Sequence, residues 1–199
     1  MVVFAFFLGW GSLSRRLPAV CAWHTEEPGG EFEASDADAG YGYDDYLARE
    51  GRVFDELDAL IAGPWAADAA DFFCRYRPGS VCNPETLLDR DWNRSFVLES
   101  ENPIGGALLV HGLSDAPYSL RAHAERLHAQ SWTVIGLRVP GHGTCPRALV
   151  EVSFKDWIAA VKVAAKGLRA RLPDGTPMIL VGFSNGGALS VNYAVEAAE

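Results

Sequence analysis

From about Ser95 to the end of the chain, short apolar runs alternate with longer amphipathic stretches, and this alternation restricts the fold more than any other feature of the sequence. Ser95 to Glu99 is a short candidate strand, and Gly106 to Val110 (GALLV) reads as a buried one. Tyr118 to Gln130 is helical in pattern, with Leu120, Ala124 and Leu127 on one face. Trp132 to Val139 (WTVIGLRV) is the next strand. A helix then opens at Ser153, with Asp156 three residues on as in a capping box. Its apolar positions Trp157, Val161, Ala164, Leu168 and Leu172 follow at offsets of 4, 3, 4 and 4. Gly167 lies inside this helix, where replacing it is expected to relieve a penalty of about 1 kcal/mol. Pro177 to Val181 (PMILV) is a further strand, and Ala188 to Ala198 a further helix. Strand and helix in strict succession predict an α/β fold, crossovers packed on a mostly parallel sheet with flanking helices. In such sheets chemistry sits at the carboxyl ends of the strands.

Two loops occupy such ends. The first, Gly182-Phe183-Ser184-Asn185-Gly186, fits G-x-S-x-G directly after PMILV and before a helix. The chain has 12 serines. With glycine at about one position in ten, on the order of 0.1 accidental matches would be expected, so the strand-to-helix setting is what sharpens the signal. A serine at so tight a turn takes a strained backbone and presents its hydroxyl above the sheet. Only very small neighbours avoid a clash there, and Gly182, Gly186 and Gly187 supply them. The helix N-terminus beneath favours developing negative charge. The second loop is His111-Gly112-Leu113-Ser114-Asp115, after GALLV. Acyl transfer needs two donors for the oxygen of a tetrahedral intermediate, which in this architecture are the residue after the nucleophile and one residue of this loop. The backbone N–H groups of Asn185 and Leu113 are the candidates, with Ser184 as nucleophile.

VHGLSDAPYSLR, then RVPGHGT at Arg138 to Thr144, then VGFSNGG at Val181 to Gly187, resemble the α/β-hydrolase family, nearest its monoacylglycerol-lipase, carboxylesterase and serine-aminopeptidase-like members. The resemblance covers roughly residues 95 to 199. It implies a serine hydrolase cleaving a carboxylic ester through an acyl-enzyme on Ser184, with a small-molecule acyl substrate and no cofactor. His111 and Gly112 match the family's HG loop, where the histidine is structural; with Gly182 and Gly186 they support the site. The same parts serve peptide cleavage or acyl transfer to another acceptor. A non-catalytic binding module of the same fold is the alternative from another class.

A triad also needs a histidine base and an acid, in the order Ser, Asp/Glu, His. Only Glu196 and Glu199 follow Ser184 as acids, and no histidine does. The expectation is a chain that carries the N-terminal half of the fold and is inactive alone. His123 and His128 lie on the first helix of the domain and are expected to be exposed, His24 lies in an acidic stretch, and His142 in the PGHG turn is placed near the mouth of the site as part of a pocket wall.

Upstream, the chain divides by composition into an apolar N-terminal tail or anchor (1–23), an acidic linker (24–45), a helical extension (46–94) and the α/β-hydrolase core (95–199). Residues 1 to 100 hold 8 Lys+Arg against 18 Asp+Glu, and residues 101 to 199 hold 9 against 8, so the net charge of −9 belongs to the first half. No basic stripe is present to neutralise phosphates, which excludes nucleic acid as an expected partner. Residues 24–45, acidic and rich in Gly, read as loosely ordered. Val2 to Trp10 is too short to span a bilayer, which takes about 20 residues. It fits the core of a signal peptide, the end of a membrane anchor, or an apolar tail packed on the domain. Membrane association through it and export stand open beside a cytoplasmic location. Cys21, Cys74, Cys82 and Cys145 form no CxxC or Cys/His cluster, so no metal site is expected. Cys74 and Cys82 are close enough in sequence either to bridge or to remain thiols.

Overall fold

The computed structural model describes residues 21–65, 74–77, 79–83, 86, 88 and 90–197. Among these, β1 (Phe96–Leu98), β2 (Gly105–Val110), β3 (Trp132–Leu137) and β4 (Met178–Gly182) form one sheet in the order β1-β3-β2-β4. β2 runs parallel to both its neighbours, with Leu108 opposite Ile135 and Leu180, while β1 is antiparallel to β3. Helix α1 (Tyr43–Ala62) precedes the sheet, α2 (Arg121–His128) joins β2 to β3, α3 (Phe154–Ala170) joins β3 to β4, and α4 (Asn185–Glu196) follows β4. The fold is α/β, a mostly parallel sheet with flanking helices.

The pleat sorts the core into two layers, because successive side chains of a strand face opposite ways. Leu108 and Val110 join Ile135, Leu137 and the α3 residues Val161, Ala164 and Leu168 on one face, where Leu189 of α4 also packs. Ala107 and Leu109 join Val134, Ala124 of α2, Trp92 and Phe96 on the other. With both faces covered, all of β2 is buried. This accounts for its unbroken apolar run.

Several elements differ from the sequence reading at their ends. The stretch expected as one helix from Tyr118 splits into a 3₁₀ turn (Pro117–Leu120) followed by α2, which stops at His128 just ahead of Ser131 in a left-handed conformation, φ 65°. α1 starts at Tyr43 because the Asp45 carboxylate accepts from the Gly42 N–H at 2.8 Å. α4 starts at Asn185, so two glycines with poor helix propensity form its first turn.

The acidic stretch 24–45, read as loosely ordered, is tied down. Glu31 pairs with the buried Arg138, and Phe32 enters the α3 layer of the core. The Ala34 N–H donates to Asp156 Oδ1 at 2.7 Å, Arg49 meets Asp36 at 2.8 Å, and Trp65 Nε1 donates to Glu26 at 2.7 Å. Its carboxylates are therefore partners of specific donors as well as a solvated face. Gly167 also departs from expectation. A Cβ there would lie 2.3 Å from Tyr43 Cβ, so glycine is required where α1 crosses α3, and its replacement would add a clash in place of the helix gain. Residues 1–20, with the apolar tail, lie outside the described residues. Among the described residues no helix is long and apolar enough to cross a membrane.

Asp156 links the α3 cap to the N-terminal stretch. Burial alone would raise its pKa, but hydrogen bonds from the Ser153 hydroxyl, the Ala34 N–H and the Ser153 N–H outweigh that and hold it below the ordinary 3.8. A carboxylate depressed in the folded state stabilises fully above its unfolded pKa, and this contribution fades as pH falls through the depressed value. Asp156→Asn should therefore cost about 1–2 kcal/mol near pH 7. In urea unfolding the gap from wild type should narrow towards about pH 2.5. A gap of equal size at both pH values would show that the cap does not depend on the carboxylate charge.

Candidate active site

Ser184 stands between β4 and α4 with φ 52° and ψ −117°. A side-chain-bearing residue held there costs on the order of 1–3 kcal/mol, so its surroundings must over-determine it. The Phe183 N–H donates to the Val110 carbonyl at 3.1 Å, which fastens the turn to the end of β2. The Ser184 carbonyl accepts from Gly187 at 2.9 Å and Ala188 at 3.2 Å, the first bonds of α4. The close approaches explain the glycines. A Cβ on Gly186 would lie 2.0 Å from the Val110 carbonyl oxygen, and one on Gly182 would lie 2.4 Å from the Gly186 carbonyl oxygen. β2, β4 and α4 thus meet with backbone against backbone, and Ser184 is left exposed at their junction.

The β2 loop lies against this turn. A Cβ on Gly112 would lie 3.1 Å from the Phe183 ring, so the two loops are in contact. His111 is fully buried, with Nδ1 2.9 Å from the Gly112 carbonyl and Nε2 accepting the Val139 N–H at 3.1 Å. Both ring nitrogens are spent on backbone, which fastens the β2 loop to the end of β3. Burial, and then the neighbouring His142, push its pKa down to about 4, so the ring is neutral near pH 7. Leu113 is 55% exposed. Among the described residues, neither its N–H nor that of Asn185 at the first position of α4 is spent on an internal partner.

His142 is buried edge-on to His111 at 4.9 Å, and its Nδ1 faces the carbonyls of Val139 at 3.1 Å and Pro140 at 3.0 Å. Burial lowers its pKa as well. It lines a cavity of about 500 Å³ together with Ser114 and Asp115 of the β2 loop. His123 is exposed and His128 half-buried, with Nδ1 3.3 Å from the Trp132 carbonyl. Sequence reasoning missed Arg138 and Trp157 as supports. Arg138 Nε donates to the His142 carbonyl at 2.5 Å, and Trp157 Nε1 to the Pro140 carbonyl at 3.1 Å. A lone basic residue inside an apolar strand run was the available signal for Arg138. Cys74 and Cys82 are both free thiols. No group of His, Cys, Asp or Glu among the described residues is arranged to hold a metal.

With this geometry in place, comparison with known proteins is specific. Residues 101–199 match the sequence model of the family "Serine aminopeptidase, S33". This segment belongs to the α/β-hydrolases. It is 35% identical over 95 residues to the thermostable monoacylglycerol lipase of Bacillus sp. (strain H-257), covering 48% of this chain and 37% of the lipase. A solved chain described with LipS and LipT, two metagenome-derived lipolytic enzymes, is 30% identical over 54% of this chain and 42% of its own length, with a TM-score of 0.49. The chain thus spans less than half the length of the relatives it matches.

The hydrolase segment concentrates its tightest backbone approach at Gly186. Gly186→Ala should lower stability by about 2–3 kcal/mol through overpacking against Val110. Gly51→Ala in α1, where a Cβ meets nothing within 4 Å, should raise it by up to about 1 kcal/mol. Chemical denaturation of the two variants makes the comparison. Effects of the same sign and size would mean that the strand-to-helix turn is looser than described.

Proposed function

We propose that Ser184 is the nucleophile of a hydrolase that cleaves carboxylic esters through an acyl-enzyme. The observation that carries this reading is its left-handed backbone at a turn where Gly182 and Gly186 admit no Cβ. Strain of that kind persists where a hydroxyl must be held out of the sheet, above a helix N-terminus. Ser184 Oγ attacks the acyl carbonyl and passes its proton to a histidine. The N–H groups of Leu113 and Asn185 take the charge on the carbonyl oxygen. The intermediate then collapses with cleavage of the ester C–O bond, and the alcohol leaves with the proton the histidine had taken. Water, deprotonated by the same histidine, attacks the acyl-enzyme, releases the acid and returns the proton to Ser184 Oγ. Ester is favoured over amide as substrate by the lipase at 35% identity.

The reading requires a base and an acid that the described residues do not bring to Ser184. The ring nitrogens of His111 are engaged with backbone, those of His142 are buried, and His123 and His128 sit on α2. Neither buried imidazole is placed to take up a proton and release it to water.

In the full-length protein a fluorophosphonate probe should label Ser184. Ser184→Ala should abolish labelling and lower turnover of a short-chain p-nitrophenyl ester by about 10³-fold or more, while leaving the unfolding midpoint within a degree or so. Residues 1–199 produced alone should retain no more than the roughly 10³ to 10⁴ acceleration that donors and binding leave in a triad stripped of its base. Labelling that survives in the alanine variant would exclude Ser184. A labelled protein that cleaves peptide but no ester would move the reading to the peptidases, and one that neither labels nor turns over would be a binding module.

A further inference from the structure

Upstream of the family segment, Trp23, Val81, Leu88 and Trp92 line the 500 Å³ cavity. The connections that follow β2 and β3 contribute Ala116, Tyr118, His142 and Leu149 to the same lining. We propose that these upstream side chains form the specificity wall of the pocket that receives the hydrocarbon chain of the acyl substrate. The proposal rests on the serine hydrolase reading above.

Three observations support it. The first is position: Ser114 and Asp115 line the cavity and directly follow Leu113, a candidate donor to the reacting carbonyl, although Ser184 itself is not part of the lining. A chain extending from that carbonyl past the β2 loop therefore enters this space. The second is chemistry. The size is that of a ligand pocket, and the lining is mainly apolar and aromatic. Asp115 is spent locally, accepting from the Ala116 N–H at 2.8 Å. Val81 is an apolar side chain left 67% exposed on the rim. The third is that the upstream wall is fixed to the core. Tyr76 Oη donates to the Thr144 carbonyl at 2.7 Å, and Cys145 Sγ to the Glu26 carbonyl at 3.2 Å. A Cβ on Gly143 would lie 2.8 Å from the Asn93 carbonyl oxygen, so glycine lets the PGHG turn and the upstream segment touch. A wall held this firmly can discriminate chain length, since each methylene removed from water is worth about fourfold in binding.

The test uses the full-length protein and octan-1-ol, a neutral probe that Asp115 does not repel, with ethanol as the short control. Octan-1-ol should change the tryptophan emission saturably and ethanol should not. Val81→Arg, on the exposed rim, should weaken octan-1-ol at least tenfold and lower the octanoate-to-acetate ratio of kcat/KM at least tenfold. Leu149→Arg, which lines the same cavity from the connection after β3, should do the same and guards against a folding defect confined to the upstream segment. Ile104→Arg, exposed at the other end of β2, should change neither quantity. No saturable binding in wild type, or binding and chain-length preference untouched in both arginine variants, overturns the proposal. Fluorophosphonate labelling of the same preparations separates the two readings. An inert Ser184 with octan-1-ol binding that Val81→Arg removes overturns the acyl role and the serine reading together. A labelled Ser184 with no octan-1-ol binding overturns only the wall.

Discussion

Arg138 is the point on which the arrangement of the site turns. Its guanidinium is buried at the end of β3, where Nε holds the His142 carbonyl and the terminal nitrogens hold Glu31. Its backbone is engaged as well: the N–H donates to Ser95 Oγ at 2.8 Å, and the carbonyl accepts from Tyr46 Oη at 2.6 Å. Burial opposes the charge, but the Glu31 carboxylate more than offsets that, so the guanidinium is held above its ordinary pKa. A buried charge that loses its partner costs about 3–5 kcal/mol. One residue therefore couples the N-terminal stretch, α1 and the PGHG turn. Glu50, which accepts from the Ser95 N–H and hydroxyl at 2.7 Å each, carries the network one step further.

This coupling explains what could and could not be read in the sequence. The α3 layer was legible because Val161, Ala164 and Leu168 recur at helical spacing and Ser153 with Asp156 announces the start. The turn at Ser184 was legible because a local steric rule fixes which residues fit, and Gly182 and Gly186 obey it. Both signals lie within a few residues of one another. The packing of residues 24–45 was not legible, because acidic residues among glycines look the same whether they face water or a guanidinium more than 100 positions away. Gly167 misled for a related reason. Helix propensity is a local quantity, whereas its need for glycine is set by Tyr43 on another element.

The ends of helices show the same division. α4 begins at Asn185 although Gly186 and Gly187 disfavour helix, since the Phe183 and Ser184 carbonyls accept its first bonds where β4 ends beside β2. Propensity would have started the helix at Ala188, the first good helix former. What overrides it is the fit of Gly186, which has no side chain, against the Val110 carbonyl, and that fit sets Ser184 at the junction of β2, β4 and α4.

The electrostatics of the site follow from the same burial. The imidazoles of the β2 loop and the PGHG turn, His111 and His142, are both pushed towards the neutral form, His111 to about 4. Near neutral pH they add no positive charge beside the Leu113 and Asn185 N–H groups. Arg138, which holds the PGHG turn through the His142 carbonyl, is paired with Glu31. An oxyanion held here would therefore depend on peptide dipoles and the N-terminus of α4, which do not titrate. In the proposed reaction, pH dependence near neutrality would then belong to the group that accepts the Ser184 proton. The two buried histidines hold the loops in register through their backbone contacts.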